Sequence, residues 1–452
     1  MVRRYIFTII SYLLGASFFT ISSFAHDLET TLQQALINSD VIGSSRQSWI
    51  AARENVGTKN TTKEWSADAN ITGKHSKTET STSSSFSGSN TGTISVTFSK
   101  NIYDGGQAKE NTAAEKINLK IETANYYNTE QEVLLGAIRS HLEVIKTQKE
   151  LSLTKNNFDR MKAHVEAAEI RASAGAATLT RLAEAESRAA RAKSSSLLAR
   201  NALENAHDEY RSLTGLDPSH LDSPEFHDHL PPSLSEAEKI GLEEHPQMLA
   251  ARAKEELAAK SFDTLIASVR PNLTFDLSAS DTFANGTSND KTVFSAQLKF
   301  SSPLMVTAAT KAKSRNLSAK LNSSKLNSNE TTRSVKLNIR KSFRLLETAK
   351  ENIRAVEAEV AASQMVARGV ENEFEFGKKT ILDLQDAEQN LNNAELRFVL
   401  AQHDLLVSSY ELWASMGRLT SENLGLSEVL GRLENESEPN DISIGVFAFS
   451  DE

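Results

Sequence analysis

The sequence predicts a mainly α protein with a small β part, in which long coiled-coil helical hairpins and short amphipathic strands occur twice. Three observations carry this: an internal repeat, two long stretches almost free of Gly and Pro, and four segments of alternating polarity. Ala174-Gly175-Ala176-Ala177-Thr178-Leu179-Thr180-Arg181-Leu182-Ala183-Glu184-Ala185-Glu186 returns about 202 residues later as Phe376-Gly377-Lys378-Lys379-Thr380-Ile381-Leu382-Asp383-Leu384-Gln385-Asp386-Ala387-Glu388. The same shift carries Gly215 onto Gly417, and Val96, Phe98 and Ile102 onto Leu298, Phe300 and Leu304. A repeat of this length marks a tandem duplication of a large unit, not a solenoid period. The expected organisation is residues 1–25, then repeats over 26–232 and 233–426, then a tail over 427–452.

Residues 1–25 read as a signal peptide. Arg3 and Arg4 give the positive end, Tyr5 to Phe19 the apolar stretch, and Ser23-Phe24-Ala25 a small-x-small cleavage site. A membrane anchor fits less well, because the apolar run is short and holds Thr8 and Ser11. No later stretch approaches the roughly 20 apolar residues of a spanning helix, so a membrane role has to use strands. The absence of cysteine excludes disulfides, thiolate metal sites and a lipidated N-terminal Cys. Without Arg3 and Arg4 the chain holds 48 basic against 59 acidic residues, a net charge of −11, which disfavours a nucleic-acid partner. Aromatics at 6% suit long helices better than a globular enzyme of this length.

Asp27–Glu64 and Leu234–Ala267 are helical in pattern, and Asn38-Ser39-Asp40 and His245-Pro246 break them at matching places. Strands are expected over about 66–75, 92–100, 271–280 and 292–300. In the first pair Ala67, Ala69, Ile71, Ile94, Val96 and Phe98 alternate with polar residues; in the second pair Leu273, Phe275, Leu277, Phe294, Leu298 and Phe300 do so. Period-2 alternation over about 8–10 residues is what a membrane barrel strand shows, and a half-buried soluble strand shows it too. Four such segments placed symmetrically in an exported chain favour the barrel. The connectors Ser76–Gly92 and Asp281–Asp290 are Ser/Thr/Asn/Gly-rich and are expected to be polar loops. Small barrels need about eight strands, so four must be completed by other copies.

Helical hairpins are expected over 106–215 and 304–417. Between Gly106 and Gly175 lies only Gly136 and no proline, and between Thr307 and Phe376 only Gly369 and no proline. Each stretch would reach about 100 Å as a helix. In the shorter returning helices Leu182, Ala185, Ala189, Ala192, Ser196, Ala199, Leu203, Ala206 and Tyr210 match Leu384, Ala387, Leu391, Ala394, Phe398, Ala401, Leu405, Ser408 and Leu412. Steps of three and four make this a heptad seam, and its small members let helices approach closely. The Gly-containing joints Ala174–Thr178 and Phe376–Thr380 read as tight helix–helix turns. Each returning arm is short by some 30 residues, a length that the preceding helical segment would supply if stacked end to end.

Duplicated hairpins, two strand pairs and a signal peptide resemble the TolC family of outer-membrane efflux proteins, over about Asp27 to Leu426. The most specific segments are Gly175–Glu186, Gly377–Glu388, Asn101-Ile102-Tyr103-Asp104-Gly105-Gly106 and Ser302-Pro303-Leu304. His245-Pro246 stands where the family usually has Asn-Pro. The resemblance implies a homotrimer whose protomers each give four transmembrane strands to one 12-stranded barrel in outer-membrane lipid. Their hairpins would form an α-barrel across the periplasm. It further implies a tip opened by a periplasmic adaptor and an inner-membrane transporter, ABC or proton-driven, for protein secretion or small-molecule efflux. The Thr-Leu-Thr-Arg-Leu-Ala-Glu-Ala-Glu form leans toward type I secretion.

Asp383 and Asp386 lie three apart, so they share one helix face. Taken alone they read as acids at a helix N-terminus. They match the family's constriction-lining aspartates, which implies two rings of carboxylates in a periplasmic neck, with cation selectivity. The turn residues Gly175, Ala176, Thr178 and Leu179, with Gly377, Lys378, Thr380 and Ile381, are the expected adaptor contacts. The tip lock departs from the family: an acidic–basic pair is replaced by Arg181 and Lys379, which repel. A usual tyrosine is Phe374, without a hydroxyl. Glu184, Glu373 and Asp383 are the remaining candidates for closing the tip. His220, His227 and His229 share a loop with Asp222, Glu225 and Asp228, and such a loop is more often solvated than metal-bound, so no metal or cofactor is assigned. No catalytic constellation is present, and Gly105-Gly106 lacks the Gly-Lys-Ser/Thr ending of a nucleotide loop. The alternative is a soluble periplasmic coiled-coil scaffold or adaptor, which would leave four amphipathic strands without a purpose.

Overall fold

The computed structural model describes residues 27–60, 64–80, 83–218, 220–224, 226, 230–284 and 290–426. The signal-peptide segment, the acidic tail and Glu225, His227, Asp228 and His229 of the histidine loop lie outside them. The element order is the same twice: two short helices, two strands, one very long helix and one shorter returning helix. The first set is α1 (Leu28–Asn38), α2 (Asp40–Asn60), β1 (Ser66–Thr80), β2 (Ser83–Tyr103), α3 (Gln107–Ser173) and α4 (Leu179–Thr214). The second is α5 (Leu234–Glu244), α6 (Pro246–Ser268), β3 (Asn272–Ala284), β4 (Lys291–Ser301), α7 (Ala308–Glu375) and α8 (Ile381–Ser415). No helix among the described residues is long and apolar enough to cross a membrane.

Local chemistry sets these boundaries. Pro246 occupies the first turn of α6, where its missing N–H costs nothing, and the His245 ring accepts from the Gln247 amide at 3.1 Å. At the head of α3, Asp104 accepts from the backbone amides of Gly106 at 2.9 Å and Ala108 at 2.7 Å. Thr307 does the same for α7 through the Thr310 amide at 3.2 Å.

The chain divides into two compact units. One holds residues up to Gln34, Ala137–Glu225 and Ser363–Leu400; the other holds Ala35–Gly136, Phe226–Ala362 and the residues from Ala401 on. The second unit contains a four-stranded antiparallel sheet in the order β1-β2-β3-β4. Its register makes two chemically different faces. Ala67 pairs with Phe98, Ala69 with Val96 and Ile71 with Ile94; Phe98 with Leu277 and Val96 with Ala279; Phe275 with Leu298 and Leu273 with Phe300. The opposite face carries Asn70, Ser95 and Ser280, then Thr97, Ser278 and Ser295. On this polar face the Ser278 and Ser295 hydroxyls bond at 2.7 Å.

The strands run further than their composition suggests. Residues 76–80 and 83–91, expected within a polar loop, continue the ladder, with Ser76 opposite Ser89 and His75 opposite Asn90. Likewise β3 continues through Asp281–Ala284, with Asp281 opposite Thr292. A hairpin ladder uses backbone groups, so a polar sequence prolongs it wherever both of its faces tolerate polar side chains.

The same unit has its helical core where α5 and α6 meet α7 and the end of α8, around Ala237, Met248, Val335, Ile339, Leu412 and Met416. The joint is close. Gly417, just past α8, has φ +82°, and its own Cα region abuts the His245 backbone, while Arg418 forks onto Glu244 at 2.8 and 2.9 Å. Thus α6 begins where α8 ends, as the end-to-end stacking requires. The α6 helix then lies on α3, with Ala253 and Leu257 against Ile117 and Ile121, and Lys260 paired with Glu110.

In the first unit, α1 is fastened by a buried chain of hydrogen bonds. Thr31 Oγ1 bonds the Tyr210 hydroxyl and His141 Nδ1, each at 2.9 Å, and the other His141 nitrogen, Nε2, meets the Asp222 carbonyl at 2.9 Å. Val144, Leu203, Ala206 and Tyr210 pack together beside it. Every member of the heptad seam read from α4 and α8 is buried or half-buried.

Candidate functional site

Both hairpin turns lie in the first unit, and they share one geometry. Gly175 and Gly377 each have φ +72°, a left-handed conformation that glycine adopts without steric cost. The Gly175 amide donates to the Ala172 carbonyl and the Ala176 amide to Arg171, while Gly377 donates to Phe374 and Lys378 to Glu373. These paired bonds satisfy the last carbonyls of α3 and α7 and reverse the chain within a few residues. Thr178 and Thr380 open the returning helices, Leu179 and Ile381 being their first residues. Leu179 is 79% exposed and Phe376 78%, so the turns present apolar side chains to solvent.

The two starts differ. Thr178 makes no side-chain cap. Thr380 forms a reciprocal cap with Asp383: the Asp383 amide donates to Thr380 Oγ1 at 3.2 Å, and the Thr380 amide donates to Asp383 Oδ2 at 2.8 Å. The Thr380 hydroxyl also donates to Oδ2 at 2.8 Å. The backbone amide first, the hydroxyl next and the Lys379 charge last hold the Asp383 carboxyl below the ordinary aspartate range. Asp383 thus stays ionised and fixed by its own helix end.

Asp386, one turn on, is exposed and is met by Arg188 of α4 at 2.7 Å. On the next residues of the same turn, Glu388 bonds His164 of α3 at 2.8 Å, and Gln389 accepts from Asn157 of α3 at 3.5 Å. These three polar contacts between the two hairpins gather on Asp386–Gln389. Arg181 is an exposed residue of the first turn of α4, and Lys379 is an exposed residue just before α8. Phe374, lacking a hydroxyl, packs instead under the Arg171 guanidinium, 5.9 Å from ring centre to cation. Arg181, Phe374 and the turns line one cleft of about 520 Å³.

Sequence reasoning did not find Arg188, His164 or Asn157. Each is separated from its α8 partner by about 200 residues or more, and each is a polar residue on a helix already rich in polar residues. One signal was available: Gln385, Asn392 and Val399 step by seven, and all three are buried, forming a second seam on α8. Of the histidine loop, Asp222 is engaged through its carbonyl by His141.

Comparison with known proteins agrees with this architecture. The family model described as outer membrane efflux protein matches residues 31–216 and 240–418. The outer membrane efflux protein BepC of Brucella suis is 28% identical over 338 residues, covering 74% of each chain. The outer membrane protein TolC of Escherichia coli is 24% identical over 363 residues, covering 74% of this chain and 71% of its own. Among solved structures, the CmeC outer membrane channel of Campylobacter jejuni superposes with a TM-score of 0.75 at 15% identity, over 92% of this chain and 90% of that one. The MtrE outer membrane channel of Neisseria gonorrhoeae, in its open state, gives 0.72 at 17% identity over 88% and 90%. The chain belongs to the outer membrane efflux protein family, the TolC family of channels, placed in the outer membrane with a helical extension into the periplasm.

Proposed function

We propose that the chain is the passive exit duct of a tripartite export system. Three copies close one 12-stranded barrel in outer-membrane lipid, and the duct opens when a periplasmic adaptor and an inner-membrane transporter dock on its turns. The repeats over 26–232 and 233–426 each supply two strands and one hairpin. The observation that carries the reading is the two-faced sheet. Its apolar face stands open, with Ile71 84% and Phe294 81% exposed, and the described edges β1 and β4 have no strand beside them. In water such a face and such edges are a liability; in lipid, with each β4 beside the next copy's β1, both are satisfied. Trp65 and Tyr103, half-exposed where the sheet joins the helices, suit the aromatic belt of a membrane interface. A scaffold or adaptor has no use for these features.

Within this duct Asp383 and Asp386 form the constriction, and Gly175, Ala176, Thr178, Leu179, Gly377, Lys378, Thr380 and Ile381 form the adaptor contact. Exposed Leu179 and Phe376 give a partner helix an apolar purchase. In this reading the partner supplies the energy. Protein secretion, the type I route, is the favoured cargo class; small-molecule efflux uses the same duct.

The test is extraction of membranes with carbonate and then with detergent, followed by the mass of the purified oligomer. A chain that resists carbonate and emerges as a trimer supports the duct. A chain that washes off, or is extracted as a monomer with its edges free, rules it out.

A further inference from the structure

The pairing of Arg188 with Asp386 has a consequence for how the duct selects its ions. If both aspartates were bare, a trimer would place six negative charges in the neck. In this chain they are not equivalent. Asp383 takes its hydrogen bonds from neutral donors, the amide and hydroxyl of Thr380, and the Lys379 charge acts on it through space without an ion-pair contact, so its carboxylate is fixed but not paired. Asp386 faces a guanidinium at 2.7 Å, and a second arginine, Arg191, lies along the same groove between α4 and α8. A carboxylate and a guanidinium in contact present a dipole to a passing ion, not a net charge. The Arg188 pair ties α8 to α4, while Glu388 and Gln389 beside it bond His164 and Asn157 of α3.

We propose that Arg188 is the selectivity-determining residue of the neck: paired with Asp386, it removes one of the two carboxylate rings from the field that a cation feels. The proposal rests on the duct reading above. Arg188 is a residue of α4, remote in sequence from the aspartates, and neither of the hairpin turns contains it.

The experiment is single-channel recording of the full-length, detergent-purified protein in planar bilayers. Permeability of K⁺ over Cl⁻ is read from the reversal potential in a salt gradient, and block by a trivalent cobalt hexammine ion is read from the periplasmic side. Arg188→Gln bares three carboxylates, so K⁺ preference is expected to rise roughly threefold and the trivalent ion to block at a roughly tenfold lower concentration. Asp386→Asn frees the guanidinium, and cation preference is expected to fall below the wild-type value. Combining the two restores the wild-type net charge, so the double variant is expected to return to wild-type selectivity.

An Arg188→Gln channel identical to wild type, with the double variant matching Asp386→Asn, overturns the proposal. Because each variant is compared only where discrete steps are recorded, loss of folding is not mistaken for a change of selectivity. Absence of steps from folded wild-type trimers overturns the duct reading itself, a different outcome from conducting channels that ignore Arg188.

Discussion

Alanine at Gly417 probes the joint at which the returning helix α8 hands over to α6. The backbone there has φ +82°, and an added Cβ would stand 2.5 Å from the His245 Cα, 3.0 Å from its nitrogen and 3.0 Å from the Pro246 ring. These neighbours are backbone and a proline ring, so no side chain can swing aside. Gly377 is the natural control: its φ is +72°, and nothing lies within 4 Å of an added Cβ. Both substitutions carry the left-handed cost, about 1–2 kcal/mol. Gly417→Ala adds overpacking, about 1–3 kcal/mol. The Arg418 fork onto Glu244, which holds that carboxyl below the usual range, is strained when His245 is displaced. Gly417→Ala is thus expected to cost roughly 2–5 kcal/mol in all, against about 1–2 for Gly377→Ala. The readout is loss of the helical circular-dichroism signal on heating at one fixed scan rate, since large proteins often unfold irreversibly. Equal shifts for the two variants would refute the close joint.

Three further outcomes are expected. Burial raises the Glu130 pKa, with Glu422 adding to the rise and the Ser421 hydrogen bonds opposing it; its stabilising contribution is therefore complete below the unfolded value near 4.5 and is lost as pH climbs through the folded value. Glu130→Gln should remove that slope, so the melting temperature of wild type relative to the variant falls between pH 4.5 and 7.5, and parallel profiles would contradict it. Thr31→Val breaks the bridge between His141 and Tyr210 and should cost about 1–3 kcal/mol, with faster hydrogen exchange in α1; unchanged exchange there would show that the bridge does not hold the helix. Ala394, fully buried in the small-residue seam, should tolerate leucine poorly, at about 1–3 kcal/mol, and a variant as stable as wild type would mean that α8 has room on that side.

Much of the fold was legible because its signals are local. A glycine that must take a left-handed φ marks each turn, His245-Pro246 marks a helix start, and steps of three and four mark a seam. The strand faces were legible from alternation, and the observed register pairs the same residues. Strand length was not: Ser, Thr and Asn over 76–92 read as loop by composition, while their backbone goes on pairing. The site was legible in part. Thr380-x-x-Asp383 is itself a helix-start signature, and it explains what fixes Asp383. The resemblance to constriction aspartates does not separate the two roles. The partners of Asp386, Glu388 and Gln389 come from another hairpin, and no spacing in one sequence brings them together.

The duct is tested most directly by planar-bilayer conductance of the purified protein, with and without a trivalent cation on the periplasmic side, comparing wild type with Asp383→Asn/Asp386→Asn. Discrete cation-selective steps, blocked from that side, are expected in wild type, with loss of both selectivity and block in the double variant. A folded, membrane-extracted protein that gives no steps, or channels whose selectivity and block survive the loss of both carboxylates, would contradict it.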